Sequence, residues 1–189
     1  MIEFENVKET VVQRLSHLNP DLTYHCLEHT LDVLEQSVRI ASEEGINSDR
    51  EVLLLKIASL YHDSGFLFTY SNHEAKSCEI FLEDAADLDL SESEKQVIVG
   101  LIMATQIPQC PRTLLEQIIC DADLDYLGRP DFFSIGDNLR REFIKFNIVA
   151  NDLEWEKLQL KFLNNHQYHT ESSRRFREPG KQRNFAAIA

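Results

Sequence analysis

Apolar side chains recur along this chain in steps of three and four. Phe4, Val7, Val11, Leu15 and Leu18 form one such stripe, the repeat that gathers side chains on one face of an α-helix. Asn19-Pro20-Asp21 interrupts it. A second helix is expected over residues 23–44, ending at Gly45, which tolerates the left-handed backbone of a helix terminus. On that helix Leu27, Leu31, Leu34, Val38 and Ala41 make the apolar face, and His25, His29 and Asp32 make the polar one. Residues 51–62 are apolar on nearly every side, which predicts a helix at the centre of the fold. Ser71-x-x-Glu74 and Ser91-x-x-Glu94 read as capping boxes, each opening a further helix. Pro108 and Pro111 precede a short helix with Leu115, Ile118 and Ile119. Phe132, Ile135, Leu139, Phe143 and Phe146 repeat at the same steps after Pro130, and Asn151-Asp152 starts another helix reaching Leu163. No stretch alternates with period two beside hairpin turns. The expectation is an all-α fold, a single-domain multi-helix bundle over residues 1–189, with C-terminal helices and a tail in 131–189.

Composition sharpens the picture in two places. Hydrophobic residues make up 43% and charged residues 27% of 189 residues, ordinary values for one folded domain. The formal charge of −13, however, disfavours nucleic acid and anionic membrane surfaces as partners. Six of the 19 basic side chains but only two of the 32 acidic ones lie beyond residue 160. Arg174, Arg175, Arg177 and Lys181 in that tail could hold a phosphate through forked contacts, or simply be solvated. Val52-Leu53-Leu54-Leu55, cut by Lys56, falls far short of the ~20 apolar residues of a membrane span. Cys26, Cys78, Cys110 and Cys120 lack C-x-x-C spacing and no leader is seen, so reduced thiols in a cytoplasmic protein are expected.

Chemistry concentrates in three places. His62-Asp63 closes the most apolar helix, where a carboxylate needs a cation, a donor or a metal beside it, unless it serves as a simple cap. Asp123 is the member of Asp121, Asp123 and Asp125 in line with the inward row through Ile119 and Tyr126; the other two are expected to face solvent or cap locally. His29 completes a mixed nitrogen and oxygen set with His62, Asp63 and Asp123, suited to a divalent ion with open water positions. The competing reading of His25, His29 and Asp32 is a solvated helix face. Trp155 and Phe132-Phe133 read as core aromatics rather than a stacking platform.

The segments YHCLEHTLDVL, ASLYHDSGF and IICDADLDYLG, around His29, His62 and Asp123, resemble the HD-domain superfamily of metal-dependent phosphohydrolases over residues 24 to about 130. The resemblance implies an HD-type bundle holding one divalent ion (Mn, Fe, Zn, Mg, Ni or Co) on His29, His62, Asp63 and Asp123. The first segment is also similar to the corresponding motif of cyclic-nucleotide phosphodiesterases, which implies that His25 protonates the leaving group and His29 binds metal; Asp63 or a nearby carboxylate is expected to orient the attacking water. His73-Glu74 resembles a pair that in many bacterial HD proteins contacts a second ion or the substrate; Glu74 is equally accounted for by the Ser71 box. Phe66-Leu67-Phe68 and Ile102-Met103-Ala104-Thr105 stand where binuclear relatives carry histidines, which favours one ion. The implied activity is hydrolysis of a small phosphorylated ligand, a nucleotide or cyclic nucleotide first, in a protein that homo-oligomerisation would suit equally. The alternatives are a non-catalytic nucleotide- and metal-sensing HD module and, further off, a two-iron HD oxygenase.

Overall fold

Residues 2–189 are described by a computed structural model, and among them every regular element is helical. The α-helices are α1 (Phe4–Leu15), α2 (Leu27–Glu43), α3 (Asp49–Tyr61), α4 (His73–Asp84), α5 (Glu92–Ala104), α6 (Leu114–Asp123), α7 (Phe132–Lys145), α8 (Asp152–Asn165), α9 (Glu171–Phe176) and α10 (Glu178–Ile188). The all-α expectation therefore holds. Short polar side chains start several of them by accepting orphan backbone N–H groups: Ser48 from Glu51, Ser91 from Glu94 and Asn151 from Glu154. Thr113 and Glu116 form a second reciprocal box at α6, a signal the sequence reading passed over.

Two starts differ from expectation. The Ser71 box does not form; α4 begins at His73, after Asn72 in the left-handed region at φ 56°. Residues 23–26 are not helical. The backbone N–H groups of Tyr24 and His25 donate instead to the buried Glu142 carboxylate, at 2.8 and 3.0 Å, and Cys26 is extended. A long-range acceptor has taken donors that a helix start would have left unpaired. The far end of α2 is as anticipated, with Gly45 at φ 77°.

Helix α3 lies at the centre, packed against α1, α2 and α5, with Leu54, Leu55 and Ile57–Tyr61 buried. The inward row of α2 is Val33, Leu34, Ser37, Ile40 and Ala41, whereas Val38, expected inside, is on the solvent side. Facing α3 and α6 together sets that rotation, and Ser59 Oγ reaches Ser37 Oγ at 3.0 Å across the contact. Most of the apolar side chains of α1–α6 form one core, and Tyr24, Leu124, Tyr126, Leu127, Phe132, Leu163 and Tyr168 form a smaller one. Asp123 sits between Ala122 of the first and Leu124 of the second, so the candidate site lies on the seam.

Three of the four basic side chains singled out in the tail, Arg174, Arg177 and Lys181, are tied into the fold. Arg177 and Arg39 each reach the buried Asp125 at 2.8 Å. Arg174 donates to the His169 carbonyl at 2.7 Å. Lys181, itself buried, donates to the His166 carbonyl at 2.6 Å, while Arg175 stays exposed. Asp121 and Asp125 are thus fully buried, contrary to the solvent-facing expectation, and Asp121 accepts from the N–H groups of His169 and Thr170 at 2.8 Å. Local spacing could not show these partners because the tail supplies them. Phe132 is core, but Phe133 is exposed. None of the described helices is long and apolar enough to cross a membrane.

Gly65 makes the closest backbone approach near the site: a Cβ there would stand 2.0 Å from the His73 carbonyl oxygen. Gly65→Ala is expected to destabilise the protein by about 1–3 kcal/mol, the usual range for overpacking, and to push the start of α4 outward. Chemical denaturation measures this; an unchanged midpoint would show that α4 moves freely.

Candidate metal centre

Three helices deliver the polar cluster. His29 projects from the first turn of α2, His62 and Asp63 follow the end of α3, and Asp123 ends α6. His29 Nε2 lies 3.1 Å from Asp123 Oδ1, 3.4 Å from His62 Nε2 and 3.4 Å from Asp63 Oδ2. His62 Nε2 is 3.2 Å from the same Asp63 oxygen and 3.7 Å from Asp123 Oδ1. Ligand atoms of His29, His62 and Asp123 all fall within 4.8 Å of one another, a group able to hold a metal ion.

The surroundings orient these atoms. His62 Nδ1 faces the Ser59 carbonyl at 2.8 Å and donates to it, which directs Nε2 to the cluster. Tyr24 packs on the His29 ring with centroids 4.5 Å apart. Asp63 Oδ2 is buried and lacks a hydrogen-bond donor of normal geometry, although two imidazoles stand beside it. An orphaned buried carboxylate oxygen next to two converging Nε2 atoms fits a divalent cation. The solvated-face reading of His29 is thereby set aside: its side chain is buried, and Asp32 turns away to Arg129 at 2.8 Å.

Burial alone would lower the pKa of His29, but its bond to Asp123 and the neighbouring Asp63 carboxylate hold it up at about 9. His62 is likewise held high, against burial, by Asp63 and Asp123. Burial would raise Asp123, yet its bonds to His29 and His62 bring it down to about 2. Without an ion the carboxylates therefore favour the protonated form of both imidazoles. The raised His29 pKa stabilises the ion-free fold below the unfolded value near ~6.5, and that contribution is lost as pH rises through about 9. Ion binding needs the Nε2 lone pairs, so protons should leave as the ion binds at pH 7. Calorimetry in two buffers of different ionisation enthalpy counts them; none released would mean that the imidazoles are not ligands.

His25 approaches from the segment before α2. Its Nδ1 pairs with Glu142 Oε1 of α7, and the same carboxylate accepts from Tyr70 Oη at 2.8 Å. That leaves Nε2 as the nitrogen open to a ligand. The His25 ring stacks on Phe66 at 4.2 Å, and Phe66 stacks on His73 at 3.9 Å. His73 Nε2 lies 3.4 Å from Asp63 Oδ1 and 3.5 Å from Glu74 Oε1, and Glu74 is buried. His73-Glu74 thus faces the site, and the cap role for Glu74 falls with the Ser71 box. Glu142 and Tyr70 were missed by sequence reading. The one available signal was an acid beside the inward row Leu139, Phe143 and Phe146, with nothing to tie it to a histidine 117 positions earlier.

A cavity of about 350 Å³ opens from this cluster, with Tyr24, His25, Asp63, His73, Glu74 and Asp123 in its wall. Trp155, expected in the core, also lines it. The arrangement defines a class: an all-helical protein with a buried two-histidine, two-carboxylate centre at the head of a ligand-sized cavity. The family model for the HD domain matches residues 26–125, more than half of the chain, and the chain belongs to that family. Neither the curated proteins nor the solved structures contain a match.

Proposed function

We propose that this HD-domain protein hydrolyses a small phosphate ester with a single divalent ion on His29, His62, Asp63 and Asp123. The observation that carries the reading is the placement of His25, braced by Glu142, on the same cavity wall as the cluster containing the orphaned Asp63 oxygen. The ion, when bound, supplies charge neutralisation for the phosphoryl oxygens and lowers the pKa of water. His29, His62 and Asp123 bind it. Asp63, with Oδ2 facing His62 and Oδ1 facing His73, would complete the set that holds it and orient the attacking water. His25 carries a proton at Nε2 for the departing oxygen, while Glu142 steadies the resulting ring tautomer through Nδ1. Burial would raise Glu142, but its bonds from His25 and from the backbone of Tyr24 and His25 keep it ionised for that task. His73 serves the substrate from the opposite edge of Asp63.

The test is a set of phosphate monoesters and cyclic diesters incubated with protein loaded with manganese, iron, zinc or magnesium and followed by ³¹P NMR. Ion-dependent conversion, abolished by chelator, is the expected result. A fully intact set with every ion would turn the assignment toward a non-catalytic binding module.

A further inference from the structure

The cavity that begins at the metal cluster has two chemically distinct halves. Its inner end carries the ionisable groups. Beyond them the wall is made by Leu127, Leu139, Phe143, Trp155, Phe162 and Leu163. At its outer edge Ile107, Ile148 and Leu158 expose 52%, 48% and 36% of their surface, and Ile107 and Leu158 also border an adjoining pocket where Gln109, Lys161 and His169 stand. Besides the tyrosines and the Trp155 indole N–H, Gln159 and Thr105 are the neutral polar side chains in the wall, and the Thr105 hydroxyl is spent on the Ile102 carbonyl at 2.8 Å. No lysine or arginine lines the chamber.

This lining suits some esters and penalises others. A nucleoside would bury ring nitrogens and sugar hydroxyls against leucine and phenylalanine, leaving most of them unpaired. A second phosphate would need cations that the wall does not hold. An alkyl or aryl group needs neither and gains by leaving water. Resting on the phosphohydrolase reading above, we propose that the substrate is a phosphate monoester with an apolar alkyl or aryl group, its phosphate at the His29–Asp123 end and its apolar part in the chamber.

Binding of n-alkylphosphonates, which cannot be hydrolysed, separates this proposal from turnover. With metal-loaded protein, calorimetry from ethyl- to octylphosphonate should show Kd falling about fourfold per methylene until the chamber is filled. Leu158→Glu, at the exposed rim, should flatten the longer half of the series. A flat wild-type series, or tighter binding of a deoxynucleoside monophosphate than of any alkylphosphonate, would overturn the assignment. Chain-length-dependent binding without phosphate release from octyl phosphate would instead remove the hydrolase reading and leave the ligand class standing.

Discussion

Asp123→Ala should take the bound ion from about one per chain to none, as measured by elemental analysis of protein purified without chelator. Asp123 Oδ1 is 3.1 Å from His29 Nε2 and 3.7 Å from His62 Nε2, so its loss opens one side of the cluster and removes half of its negative charge. Two imidazoles held high in pKa by Asp123 and Asp63 would then keep their protons less firmly, but would have one carboxylate left to neutralise a divalent ion. Thermal melts give a second readout. An ion at a hundred times its Kd stabilises the wild type by about 2.7 kcal/mol, and the same addition should leave the variant's melting temperature unmoved. Undiminished metal content in Asp123→Ala would eliminate this residue as a ligand and break the link between the cluster and the chemistry.

The second large effect is expected from His25→Ala. Removing a positioned acid typically costs about 10²–10⁴-fold in rate, and the loss should fall on alkyl phosphates, whose leaving oxygen needs a proton. Esters with good leaving groups, such as p-nitrophenyl phosphate, should lose far less, and metal content should stay at the wild-type level because His25 is not in the cluster. Glu142→Gln probes the same proton from behind. It keeps the shape of the buried side chain and, with its one acceptor oxygen, the bonds from the Tyr24 and His25 backbone, but it withdraws the charge that faces His25 Nδ1 and turns an amide N–H toward Tyr70 Oη. Its kcat on alkyl phosphates should fall with little change in KM, and the pH profile of kcat should shift, which a merely structural role would not produce. Equal losses on good and poor leaving groups in His25→Ala would contradict the acid role.

How far the centre could be read from the chain alone depends on the range of the forces involved. His62-Asp63 was legible because a charged pair at the end of a nearly all-apolar helix needs an explanation wherever the helix packs. Asp123 was legible from its register with Ile119, whereas Asp121 and Asp125 looked exposed because their partners, Thr170, Arg177 and Arg39, lie 49, 52 and 86 positions away. The Ser71 box satisfied every local rule and still failed, because Gly65 brings the backbone of residue 65 against His73 and that contact decides where α4 begins. His25 was singled out on a helix it does not occupy; the Glu142 carboxylate replaced a helical turn as the acceptor for its backbone.

The sequence by itself determined the helical class and most helix limits, since three- and four-residue periodicity, capping side chains and Gly45 act within a few residues of where they stand. With the ordered motifs at residues 29, 62–63 and 123, it also carried the family. Only the tertiary structure decided which face of α2 is inside, that Arg177 of the basic tail pairs with the buried Asp125, and that His25 is braced by Glu142. It alone revealed that the cavity beyond the centre is apolar, because that wall is assembled from side chains of the 3₁₀ turn after α6, of α7 and of α8, each unremarkable in its own segment. Periodicity reports how a helix meets whatever covers it; which surface covers it is a property of the whole packed chain.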